Sequence, residues 1–197
     1  MRLIIDINGR IPEWEVLGYV DKNPKLKGGR IDGLKVYRPQ DLPESKRYYG
    51  ICGIMDPWLR RKIVSDEIEA KRYKLPVLIH PDTARSGDFE AGEGSIVFSG
   101  VHISFDVKIG KCVIVSLNTD LGHELRVGNY TSIMPSSTIG GNCRIGRNCI
   151  VGAGATFHQG LKIGNDSIIG IGTTIVRDVP GRTSVADFPR KIIRGRV

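Results

Sequence analysis

Every sixth residue from Val97 to Ile175 is apolar. The row runs Val97, Ile103, Ile109, Val115, Leu121, Val127, Ile133, Ile139, Ile145, Val151, Phe157, Ile163, Ile169 and Ile175, and only Phe157 is not a branched aliphatic. Glycine follows directly at Gly110, Gly122, Gly128, Gly140, Gly146, Gly152, Gly164 and Gly170. Two places before the aliphatic stands a small or modest side chain, as at Thr119, Thr131, Ser137, Cys143, Cys149, Ala155, Ser167 and Thr173. A helix repeats its apolar positions every three or four residues and a half-buried strand every two, so this period belongs to neither. It predicts a solenoid of hexapeptides, a parallel β-helix whose coils bury their apolar residues only against one another. Three six-residue sides close one triangular coil. The aliphatic side chain fills the axis, the small one points inward near a corner, and glycine spares the turn a Cβ clash.

A chain of 197 residues holds one domain or two small ones. No apolar run reaches the ~20 residues of a membrane-spanning helix. No charged, apolar, then small-residue leader opens the chain, so the expected compartment is the cytoplasm. The cysteines Cys52, Cys112, Cys143 and Cys149 form no CxxC pair, and the last two fall on inward positions, which reads as buried thiols. A net charge of +8 admits nucleic acid as a partner. With 7% aromatic residues and no basic patch interleaved with aromatics, that reading is set aside. A positive surface equally steers small polyanions such as coenzyme A and nucleotide sugars.

Ahead of the solenoid the signals change. Residues 1–8 read as the end of an amphipathic helix, stopped by Gly9 and Pro12. A strand is expected at 16–20, a hairpin around Asp32-Gly33, and a buried strand at 48–54. Asp56 and Pro57 fit the N-cap and first position of a helix to about Tyr73, and a third strand follows at 75–79. Strand, helix, strand argues for a small parallel α/β domain at 1–78. The solenoid would occupy 79–197, ending in a basic tail with Arg182, Arg190, Lys191, Arg194 and Arg196.

Four histidines are candidates for chemistry. His80 sits at the domain junction and reads as structural. His102 faces outward without a visible partner, and His158 reads as a surface residue. His123 is followed by Glu124 in Leu121-Gly122-His123-Glu124. A neutral imidazole accepts a proton near physiological pH, and a carboxylate on its other nitrogen fixes the tautomer. Neighbouring side chains of a regular strand point oppositely, so this pairing requires a bend.

The Ile-Gly and Val-Gly repeats at Ile109, Val127, Ile139, Ile145, Val151, Ile163 and Ile169 resemble those of the hexapeptide acyltransferases. With an α/β domain ahead, the layout most resembles the bacterial sialic acid O-acetyltransferases and UDP-amino-sugar N-acetyltransferases, and Leu121 to Glu124 is the most specific part of the match. The resemblance implies a mainly β fold with a left-handed parallel β-helix. It implies acetyl-CoA as donor, a nucleotide-linked amino sugar or sialic acid as acceptor in surface-glycan synthesis, and a homotrimer with sites between subunits. It assigns His123 as general base, Glu124 as its partner, and the Gly141 N–H to the thioester carbonyl. It places Ser132 near the acetyl group, Ala153 and Ile171 along the pantetheine groove, Arg190 and Lys191 near coenzyme A, and Asp21, Lys22 and Gly53 at the nucleotide. The family usually opens with a strand and a glycine-rich turn; this chain shows neither, so its α/β domain reads as truncated. With no nucleophile motif, direct attack on the thioester is expected. A metalloenzyme of the γ-carbonic anhydrase type needs converging imidazoles; His102, His123 and His158 contain no close pair, so no metal is expected. A hexapeptide solenoid also suits a non-catalytic assembly protein or a serine-type O-acetyltransferase.

Overall fold

The computed structural model describes residues 1–186, except 27 and 46. From Leu78 onward the chain winds as a parallel β-helix with three sheets of seven, six and five strands, each running along one face of a prism. Through the body of the solenoid each strand pairs with the strand 18 residues on, as Ile114 with Ser132, Asp120 with Thr138 and Arg126 with Arg144, and in the last coil the spacing drops to 16, as Ile168 with Ser184. The aliphatic row is at most 4% exposed throughout, and the small residues two places earlier are almost wholly buried. Both rows lie inside the prism, as the period requires.

The glycines after the aliphatic row work differently from the expectation. Their φ angles are not positive. A Cβ on Gly122 would instead lie 2.5 Å from the nitrogen of Gly141 in the next coil, so they permit close stacking rather than turning. The turning falls three residues after the aliphatic, where Asp106, Asn118, Glu124, Asn142 and their equivalents adopt left-handed φ near 50–60°.

The three faces differ outwardly. The first carries Leu78, Ile96, Ile114, Ser132, Ile150 and Ile168; the second Ala84, His102, Asp120, Thr138, Thr156 and Thr174; the third Glu90, Lys108, Arg126, Arg144 and Lys162. The first face is apolar because the N-terminal region packs there. Leu3 on helix α1 (Arg2–Arg10) joins Leu78, Ile96 and Ile114 in one core, with Ile51 and Met55 against it.

Strands β1 (Tyr19–Val20), β2 (Arg30–Ile31) and β3 (Leu34–Tyr37) form a small sheet, with β1 parallel and β2 antiparallel to β3. Helix α2 (Pro57–Ile63) begins as expected, its Asp56 cap accepting from the Leu59 N–H at 2.8 Å. It then continues as a π-helix over Val64–Glu69 and stops short of Tyr73. The expected strand at 48–54 is only a single bridge, Tyr49 with Lys74. Its Ile51 side chain, with the adjoining Met55, is spent on the prism surface, which leaves that segment no ladder to join. The third expected strand shrinks to Leu78–Ile79, the first strand of the solenoid's first face.

Arg60 of α2 bolts the two parts together. Its side chain is fully buried and donates to the carbonyls of Ile54, Cys112 and Tyr130. Burial lowers its pKa, while the same burial pushes the neighbouring Cys112 thiol up to about 11. All four cysteines are buried and free. His80 is buried and reaches Asp6 of α1 at 3.3 Å, the structural role its position suggests. No helix among the described residues is long and apolar enough to cross a membrane.

Candidate active site

His123 and Glu124 stand at the corner between the second face, ending at Leu121, and the third, resuming at Arg126. Glu124 has φ 55°, and this left-handed residue supplies the bend that the pairing demanded. His123 Nδ1 lies 3.0 Å from Glu124 Oε2. A carboxylate only accepts, so the neutral tautomer that makes this hydrogen bond has its proton on Nδ1 and a free lone pair on Nε2.

The coil repeat stacks a column on this corner. One coil earlier, Phe105 lies against the imidazole, with ring centroids 5.2 Å apart and planes at 11°. One coil later comes Gly141, where a Cβ would sit 2.3 Å from Nε2. The imidazole is therefore held flat on Phe105, fixed by Glu124, with Nε2 above a residue where any side chain would displace the ring. Phe105 escaped the sequence reading, and its 18-residue spacing from His123 is the signal that could have found it.

The Gly141 N–H has a further property. At the corner between the third and first faces, the equivalent N–H groups of Lys111 and Arg147 are capped at 2.9 Å by Asn129 and Asn165 of the next coil. The residue in that position above Gly141 is Gln159, and no described group accepts from the Gly141 N–H. That donor stays available beside Nε2.

The other expected site residues are dispersed. Ser132 is fully buried on the first face and its hydroxyl donates to Met55 O at 2.6 Å. Ala153 and the 83% exposed Ile171 stack at the corner between the first and second faces. Asp21 closes a turn by accepting from Asn23 N, Lys22 pairs with Glu67 at 2.5 Å, and nothing lies within 4 Å of a Cβ built on Gly53. No hydrogen bond joins these three to His123. Arg190 and Lys191 lie outside the described residues. His102 does have a partner, Asp120 Oδ1 at 2.9 Å, one coil away on the second face, where the sequence had suggested none. His158 is exposed, as expected. Among the described residues no group of three or more His, Cys, Asp or Glu is placed to hold a metal ion.

Residues 125–159 match the bacterial transferase hexapeptide (six repeats) family. Solved structures match nearly the whole chain. The acetyltransferase domain of PglB from Neisseria gonorrhoeae FA1090, in complex with acetyl coenzyme A, has a TM-score of 0.83 at 25% identity, covering 94% of this chain and 90% of that one. By repeat and by fold, the chain is similar to the hexapeptide-repeat acyltransferases. Its prism is the left-handed β-helix of that class. Perosamine N-acetyltransferase from Caulobacter crescentus, in complex with CoA and GDP-perosamine, has a TM-score of 0.80 at 27% identity, covering 93% of this chain and 87% of that one. WeeI from Acinetobacter baumannii AYE shares the fold, with a TM-score of 0.83 at 22% identity over 94% of this chain and 91% of that one. No curated protein matches the chain in sequence.

Proposed function

We propose that this protein is a cytoplasmic acetyltransferase that moves the acetyl group of acetyl-CoA to an amino or hydroxyl group of a nucleotide-linked sugar in bacterial surface-glycan synthesis. The observation that carries the reading is the Phe105–His123–Gly141 column with Glu124 at its side. The matched structures that hold acetyl coenzyme A, or CoA with GDP-perosamine, support the choice of donor and acceptor class. In this reading Nε2 takes the acceptor's proton as its nitrogen or oxygen attacks the thioester carbon; the C–S bond then breaks, and the imidazolium returns the proton to the departing CoA thiolate. Glu124 steadies the imidazolium that forms. The uncapped Gly141 N–H donates to the carbonyl oxygen as charge develops there. Asp21, Lys22 and Gly53 are kept as candidates for the nucleotide, and Arg190 and Lys191 as candidates toward coenzyme A; the buried Ser132, its hydroxyl spent on Met55, is dropped from that set. The test is thiol release from acetyl-CoA with nucleotide-linked amino sugars, free sialic acid and serine as acceptors. Turnover with a nucleotide-linked sugar is expected; turnover with serine alone, or with none, overturns the reading.

The columns also argue for shared sites. His123 and Gly141 stack at one corner of the prism, Ala153 and Ile171 at another, at opposite ends of the second face. A pantetheine arm that touches both columns within one chain must cross that face. Three prisms packed about a threefold axis bring the His123 corner of one against the Ala153 corner of the next. Mixing His123→Ala chains with Ala153→Trp chains, each inactive alone, is then expected to restore part of the activity. A mixture that stays inactive after proven subunit exchange excludes the shared site.

A smaller change tests the column itself. Gly141→Ala places a methyl against Nε2, and the half-exposed ring swings aside rather than the backbone. Since a misplacement of about 1 Å costs on the order of 10²-fold, turnover should fall by about that factor while the melting temperature stays near wild type. Unchanged turnover would mean that the ring position over residue 141 is irrelevant to the reaction.

A further inference from the structure

The third face raises a question that folding does not answer. Lys108, Arg126, Arg144 and Lys162 stand directly opposite one another in consecutive coils. Coils stack about 4.8 Å apart, and like charges in register destabilise a sheet. Two of the four are neutralised: Lys108 by Glu90 at 2.6 Å and Arg126 by Asp106 at 2.7 Å. The hydrogen bond from Arg126 in turn holds the Asp106 carboxyl below its usual range. Arg144 donates only to the main-chain carbonyls of Glu124 and Cys143. Neither Arg144 nor Lys162 makes an ion pair with a carboxylate among the described residues; Asp178, which lies nearby, accepts at Oδ1 from the Lys162 main-chain N–H, and Asp106 interacts with Arg144 only at longer range. Among the described residues, no other face carries such a column.

The column lines a cleft of about 640 Å³, with Arg126, Arg144 and Lys162 on its wall and Asp178 and Pro180 at its far end. The cleft lies along the third face and toward its corner with the first, and Arg126 and Arg144 on its wall reach back toward the His123 corner. Arg144 holds the carbonyl of Glu124, and Arg126 holds the carbonyl of Asp106, next to Phe105. Two cations that make no ion pair, one of them a planar fork suited to bidentate phosphate contact, thus stand on one open cleft, and Arg144 touches the main chain of the imidazole's partner.

We infer that Arg144 and Lys162 form a phosphoryl-binding site that seats the diphosphate of one of the two substrates beside His123. This rests on the proposed acetyltransferase reading for the substrate, though not for the anion chemistry. Two sources share that chemistry, coenzyme A and a nucleoside diphosphate. The experiment measures binding of coenzyme A, acetyl-pantetheine, UDP, GDP and inorganic pyrophosphate to wild type, Arg144→Gln, Lys162→Gln and the double variant, with melting temperature as the fold control. The expected result is at least tenfold weaker binding of one phosphorylated class and of pyrophosphate in the double variant, with acetyl-pantetheine unaffected. Loss confined to coenzyme A assigns the site to the donor; loss confined to UDP or GDP assigns it to the acceptor. Lys162→Gln, which removes no hydrogen bond of the fold, should show the same direction alone. Phosphate ligands that bind the double variant as they bind wild type, or that do not bind wild type, overturn the inference. Wild type that binds pyrophosphate through these residues yet transfers no acetyl group would refute the acetyltransferase reading alone.

Discussion

His123→Ala should lower acetyl transfer by at least ~10²-fold, the usual scale of general acid–base catalysis, and leave the fold intact. The two halves of this expectation come from different observations. The loss follows from Nε2, whose lone pair is freed by the Nδ1 contact to Glu124 at 3.0 Å and which sits beside the uncapped Gly141 N–H. No other imidazole is placed to substitute. His102 is turned to Asp120 on the second face, and His158 Nδ1 lies 3.1 Å from the carbonyl of Gln159. The intact fold follows from exposure: the His123 side chain is 42% accessible, and its removal costs one stacking contact with Phe105 and one solvent-exposed hydrogen bond to Glu124. Steady-state turnover measured alongside thermal melting checks both. Activity above about a tenth of wild type would remove His123 as the base. Glu124→Gln should fall between the two, because an amide still contacts Nδ1 but no longer steadies a positive ring.

The solenoid was legible because its physics is one-dimensional. A residue six places on repeats the environment of the first, so Val97 to Ile175 declared both the inward rows and the triangular section. His123 and Glu124 were legible for a related reason, since they interrupt a corner with groups that turning does not need. What the period hid was which corners and faces lie together across coils. Phe105 against His123 and His102 against Asp120 are both partners 18 residues apart, and neither pair looks unusual along the chain. The N-terminal region was harder still. Ile51 reads as part of a buried strand, yet it packs, partly buried, against the outside of the prism. Ile96 and Ile114, which receive it, sit beside inward residues and look like ordinary strand positions. The cation column was visible as four basic residues, but its register, its missing carboxylates and its place beside the histidine exist only in the folded coil.

Ile145→Asp should leave no folded protein, and this is the strictest test of the six-residue register. Ile145 is 3% exposed and pairs with Val127 below and Ile163 above, so an aspartate there has neither water nor a partner. Removing a buried aliphatic of this size costs about 2–5 kcal/mol. Burying an unpartnered polar group in its place adds roughly 2–7 kcal/mol, with the carboxyl forced neutral. A domain stable by about 5–15 kcal/mol does not absorb both together with ease. A solenoid has less tolerance than most folds, because each coil is held only by its neighbours and a break in one uncovers the next. The control is Lys162→Asp on the outward position next to Ile163, where the new carboxylate lies in water opposite Arg144 and should change the melting temperature little. Soluble expression and melting of the two variants decide the matter: a well-folded Ile145→Asp chain would place residue 145 outside the prism and take the inward row with it.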